Sequence, residues 1–98
     1  MPPTFERAAR FTADHQQLTA EQKRRFLEKI QELFVPALTK GEPFPPGLRV
    51  KKVHVSGVFE MTWAPNGRAT FEYGPEVLPG QVHVIWRRIG THEIFDTR

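Results

Sequence analysis

Gly41-Glu42-Pro43-Phe44-Pro45-Pro46-Gly47 splits the chain into two stretches that cannot be the same kind of structure. Three prolines and two glycines in seven residues neither continue a helix nor sit inside a sheet. Upstream, the apolar residues Phe26, Ile30, Leu33, Phe34, Ala37 and Leu38 recur at helical spacing, with charged and amide side chains between them. Downstream the period falls to two, with β-branched and aromatic residues dominating. The segment is short for an interdomain linker and is read as the crossover from helices to sheet within one domain, residues 1–98.

Local signals refine both halves. Thr19 and Gln22 have capping-box spacing, so a helix should start at Ala20. Pro36 should kink or end it near Leu33 to Val35. A shorter helix is expected over Phe11 to Leu18, and a short first strand around Phe5. The helical part should cover residues 8–38 and the sheet residues 48–95. Strands are expected over Leu48 to Val55, Val58 to Ala64, Arg68 to Tyr73 and Gln81 to Ile89. Asn66-Gly67 marks a hairpin. A three-residue loop, Pro65-Asn66-Gly67, would pair Trp63 with Ala69, Met61 with Phe71 and Phe59 with Tyr73, gathering the large apolar side chains on one face. Glu60 would then lie opposite Glu72. The expected fold class is α+β: an N-terminal helical pair on one face of a twisted, mostly antiparallel sheet of four to five strands.

Composition narrows the chemistry. With 98 residues, 39% apolar content, eight Phe and two Trp, a packed core is within reach. The absence of cysteine removes disulfides, thiolate zinc sites and cysteine nucleophiles. Neither a signal peptide nor a membrane-spanning run is visible, so a cytoplasmic protein without membrane association is expected. The four histidines show no paired spacing with carboxylates on a helix, and no metal or other cofactor is expected. A net charge of +3 mildly favours a polyanionic partner. Arg87, Arg88 and His92 fall within six residues at the end of a strand, where they could meet phosphate. Adjacent residues in a strand face opposite sides, so only one of Lys51 and Lys52, and one of Arg87 and Arg88, should reach a given face. His54 and His83, inside strands, are read as structural.

The order of the pieces then carries a resemblance. A helical pair leads to a basic strand, then to Gly57-Val58-Phe59-Glu60-Met61-Thr62-Trp63, a tight turn, and Arg68-Ala69-Thr70-Phe71-Glu72-Tyr73. The chain closes on Val84-Ile85-Trp86-Arg87-Arg88-Ile89-Gly90-Thr91-His92-Glu93-Ile94-Phe95. In order and spacing this resembles the RelE/ParE superfamily of toxins from toxin–antitoxin pairs, over residues 4–95. The resemblance implies a ribosome-dependent mRNA endoribonuclease that works without metal, by attack of the RNA 2′-hydroxyl on the adjacent phosphate. It implies an antitoxin protein, the ribosome and mRNA as partners. It places Lys52, Arg68 and His92 as catalytic residues, and Lys51, Arg87, Arg88 and Phe95 as RNA-binding ones. Two positions depart from the family pattern. Phe95 stands where many mRNA-cleaving members carry Tyr, and Glu60 where several carry a basic residue. These departures keep two alternatives open: a non-catalytic inhibitor of a protein target such as DNA gyrase, and a homologue that only binds RNA or antitoxin.

Overall fold

The computed structural model describes residues 1–53 and 57–91. Its sheet has five strands in the order β1-β5-β4-β3-β2. They are β1 (Thr4–Arg7), β2 (Lys51–Lys52), β3 (Val58–Ala64), β4 (Gly67–Gly74) and β5 (His83–Thr91). From β2 to β5 the neighbours are antiparallel. The first strand runs parallel to β5, from Thr4↔His83 to Arg7↔Trp86. The helices α1 (Ala9–Gln16), α2 (Ala20–Lys29) and α3 (Val35–Lys40) lie between β1 and β2 in the chain. The molecule is therefore α+β, as its two periods require. No helix among the described residues is long and apolar enough to cross a membrane.

The capping box at α2 is complete. The Gln22 amide N–H donates to the Thr19 hydroxyl at 3.1 Å, and the Thr19 N–H donates to the Gln22 side chain at 2.8 Å. Pro36 does not end the helical run. A π-helical turn over Ile30–Phe34 precedes it, in which the Val35 N–H reaches back five residues to the Ile30 carbonyl. Pro36 then falls in the first turn of α3, where a missing N–H costs least. Gly41, in the left-handed region at φ +69°, closes α3.

The core lies between the helices and one sheet face. Phe71 packs edge-on to Phe34 at 5.2 Å between ring centroids and to Trp86 at 5.4 Å. Phe26 is edge-on to Trp86 at 5.4 Å, and Phe11, Met61, Val84 and Ile89 are fully buried around them.

Two strand expectations need correction. Leu48 to Val55 is not one strand. Pro46–Leu48 forms a 3-10 turn that buries Leu48, and Arg49 takes φ +48°, which breaks the extended backbone; among the described residues the part that pairs with β3 is Lys51–Lys52. The β3–β4 register also differs from the three-residue-loop pairing. Ala64 pairs with Gly67 across a two-residue loop, and Trp63 is an extra, unpaired residue at which the ladder is locally disrupted. Met61 therefore faces Ala69, and Phe59 faces Phe71. The shift is two residues, so the large apolar side chains still share a face. It also separates the two acids: Glu60 pairs with Thr70, and Glu72 with Val58.

Candidate functional site

On the sheet face opposite the core, the register aligns Lys51, Glu60, Thr70 and Arg88 in one row across β2, β3, β4 and β5. Thr62 and Arg68 form the adjacent row. Glu60 is only 4% exposed and lies between two cations: the Lys51 Nζ is 3.7 Å and the Arg68 Nε 3.9 Å from the same carboxylate oxygen. A buried carboxylate needs such compensation. The Arg68 guanidinium is held from its other side. Its Nη1 donates to the Gly67 carbonyl at 2.9 Å and, at longer range, to the Pro65 and Ala64 carbonyls. The two-residue loop thus turns three backbone oxygens onto one arginine. A cation pre-oriented in this way pays little ordering cost when a phosphate arrives.

The other expected residues fall as follows. Pairing of Lys51 with Glu60 and of Lys52 with Phe59 puts Lys51, and not Lys52, on the side of the sheet that carries Glu60. Arg87 is an extra residue in β5, where the ladder passes from Thr70↔Arg88 to Phe71↔Trp86. It donates to Glu72 at 3.1 Å from a partly exposed position. Arg88 donates to both Asp14 oxygens, at 2.9 and 3.2 Å, and this hydrogen bonding raises its pKa. Asp14 also accepts from the Ile89 N–H at 3.2 Å, so one carboxylate joins α1 to β5 just beyond the end of β1. Asp14→Ala should cost about 2 kcal/mol in urea denaturation, the range for hydrogen bonds to charged partners. A loss below about 0.5 kcal/mol would mean that the contact does not anchor α1.

His83 is structural. It is buried, with Nδ1 2.8 Å from the Thr4 hydroxyl and Nε2 2.9 Å from Glu6, and it fastens β1 to β5. His54, His92 and Phe95 lie outside the described residues. No group of His, Asp and Glu suited to a metal ion occurs among the described residues.

Two concavities stand near these groups. One, of about 470 Å³, is walled by Phe5, Phe11, Phe26, Leu27 and Trp86, with Arg7, His15 and Lys23 at its rim. Burial, then Arg7 and Lys23, lower the pKa of His15 below the usual histidine value. This concavity is apolar and gathers no convergent acid–base groups. The other, of about 420 Å³, adjoins Arg68 and is lined also by Lys29, Arg49, Thr62 and Trp63. Lys29 and Arg49 were not singled out by the sequence. On α2, Lys29 reads as part of a solvated helix face, and no local motif marks Arg49 as leaving the extended conformation.

No family model and no curated protein sequence matches the chain. Solved structures do. A chain of the DinJ–YafQ toxin–antitoxin complex from E. coli superposes with TM-score 0.65 at 16% identity, over 96% of this chain and 97% of that one. The YoeB/ParE toxin from Agrobacterium tumefaciens gives 0.62 at 14%, over 91% and 98%. A chain of the RelBE2 toxin–antitoxin complex from Mycobacterium tuberculosis gives 0.60 at 15%, over 93% and 99%. The molecule has the fold of RelE/ParE-type toxins along nearly its whole length. At these identities the likeness is one of fold.

Proposed function

We propose that the chain is the toxin of a toxin–antitoxin pair and a ribosome-dependent mRNA endoribonuclease. The observation that supports this best is Arg68, fixed by the turn carbonyls and set beside Lys51 on a polar sheet face. In the proposed reaction the RNA 2′-oxygen attacks the adjacent phosphorus and loses its proton to a base. The bond to the 5′-oxygen breaks, and that oxygen takes a proton from an acid, leaving a 2′,3′-cyclic phosphate and a 5′-hydroxyl end. Arg68 and Lys51 would neutralise charge on the crowded phosphate. Glu60 would hold both cations in place. His92 would transfer the proton, and Phe95 would stack on a base. Lys52 and Arg87 would add to the attraction for RNA, while the RNA-contact role expected of Arg88 competes with its hold on Asp14. The expected partner is an antitoxin that covers the basic site; YafQ itself was crystallised with DinJ as a toxin–antitoxin complex.

Arg68→Gln tests the role of the arginine. An amide can still donate to the turn, but the charge is gone. Cleavage of ribosome-bound mRNA should fall by about 10²–10³, the usual loss for one charge-stabilising donor, with thermal unfolding still cooperative. Undiminished cleavage would remove Arg68 from the site.

The position of Glu60 favours a second reading. A carboxylate between the two cations lowers the net positive charge available to phosphate, which suits a non-catalytic inhibitor of a protein such as a topoisomerase. DNA replication would then stop before protein synthesis after induction; the nuclease reading requires the reverse order.

A further inference from the structure

We propose that the groove between Lys29, Arg49 and Arg68 is a second phosphate site, which holds a backbone phosphate of single-stranded RNA next to the one that is cleaved. The inference rests on the endoribonuclease reading for the identity of the polymer, and on the groove's own chemistry for the phosphate.

Three cations from three parts of the chain line the groove: the last residue of α2, the residue after the 3-10 turn, and the second residue of β4. No carboxylate among the described residues lines it. Elsewhere, five of the ten described Lys and Arg side chains are held in ion pairs. Arg24 and Arg25 pair with Glu21, Arg87 with Glu72, Arg88 with Asp14 and Lys51 with Glu60. Lys29 and Arg49 make no ion pair among the described residues, although Lys29 is half-buried. Glu60 offsets part of the Arg68 charge, but Lys29 and Arg49 have no such offset; the remaining repulsion is relieved by an anion in the groove.

The backbone supplies an independent observation. Arg49 has φ +48° and ψ 45°, a left-handed conformation that Gly or Asn adopts more cheaply than Arg. Strain of this kind persists where the side chain is used. Thr62 and Trp63 also line the groove, and the buried Trp63 indole N–H has no hydrogen-bond partner among the described residues. Arg68 belongs both to this groove and to the Glu60–Lys51 cluster. A polymer with phosphates at successive positions can span the two, whereas an isolated anion would fill only one. Lys29 and Arg49 are thus binding residues that fix the register of the strand rather than residues of the chemical step.

The test uses the whole chain and a fluorescein-labelled single-stranded RNA hexamer with 2′-O-methyl sugars, which cannot be cleaved by 2′-oxygen attack. Fluorescence anisotropy is recorded over a range of salt concentrations. The Lys29→Gln/Arg49→Asn variant should bind at least about tenfold more weakly at low salt. Its slope of log affinity against log salt should be shallower by about 0.7, the value for one single-strand phosphate no longer neutralised. Arg49→Asn alone should melt at the same temperature as the parent or higher, because Asn tolerates the left-handed backbone. Binding of the double variant within twofold of the parent, with an unchanged slope, overturns the proposal. So does failure of the parent to bind the hexamer, or a preference for an acidic peptide such as oligoglutamate. The two readings fail separately. A parent that binds the hexamer through Lys29 and Arg49 yet leaves ribosomal mRNA intact refutes only the nuclease. A double variant that binds and cleaves like the parent refutes only the groove.

Discussion

Gly67→Ala is expected to destabilise the protein by about 3 kcal/mol, at the upper end of the cost of forcing extra volume into a packed site. A methyl group at residue 67 would lie 2.5, 2.6 and 2.7 Å from three atoms of the Trp63 ring. The ring cannot swing aside. It is 2% exposed and stands edge-on to Phe26 at 6.3 Å. The whole hairpin end would have to move, and with it the Gly67 carbonyl that orients Arg68. Stability should therefore fall, with a melting temperature roughly 10–20 °C lower for a chain of this size, and under the proposed function RNA cleavage should fall with it. Introducing Trp63→Phe into the same background should recover part of the stability, since the smaller ring leaves room for the methyl. Urea denaturation of the four-member cycle measures this coupling. Independent, additive costs would show that the contact between Trp63 and Gly67 does not set the turn.

Phe71→Ala should cost still more, about 3–5 kcal/mol, from lost transfer energy and the cavity left behind. Phe71 is fully buried at the centre of β4, edge-on to Phe34 and Trp86 and stacked on Phe59 at 5.5 Å. It joins the helical layer to three adjacent strands at once. Against a typical total of about 5–15 kcal/mol for a domain, the variant should be partly unfolded at 37 °C. Phe71→Leu should cost markedly less, because most of the volume is kept. Equal costs for Ala and Leu, or a cost below about 1.5 kcal/mol for Ala, would contradict this packing.

What could be read in the sequence depended on how local each signal is. The Thr19/Gln22 capping box involves four consecutive residues and formed as its spacing requires. The limits of β3, Val58 and Ala64, follow from strict alternation between Gly57 and Pro65. The face on which Phe59, Met61 and Phe71 lie survived the error in register because the error was an even number of residues. The bulge at Trp63 could not be foreseen: it depends on the ring packing over Gly67, a tertiary contact. The choice between Lys51 and Lys52 depends on how β2 registers on β3, and the loss of the longer strand depends on Arg49 adopting a backbone that its residue type disfavours. Lys29 enters the candidate site only because α2 ends beside the β3–β4 hairpin. Arg68, by contrast, is marked by the resemblance, as the arginine that opens the returning strand of the hairpin.

The proposed nuclease is tested most directly by inducing the chain in a bacterial host without antitoxin, beside a His92→Ala version, and mapping cellular mRNA 5′ ends. New 5′-hydroxyl ends inside translated codons, reduced about 10²-fold or more by His92→Ala in keeping with the loss of an acid–base group, are the predicted result. Growth arrest with intact mRNA, or the same cuts from the His92→Ala chain, would contradict a mechanism in which His92 transfers the proton.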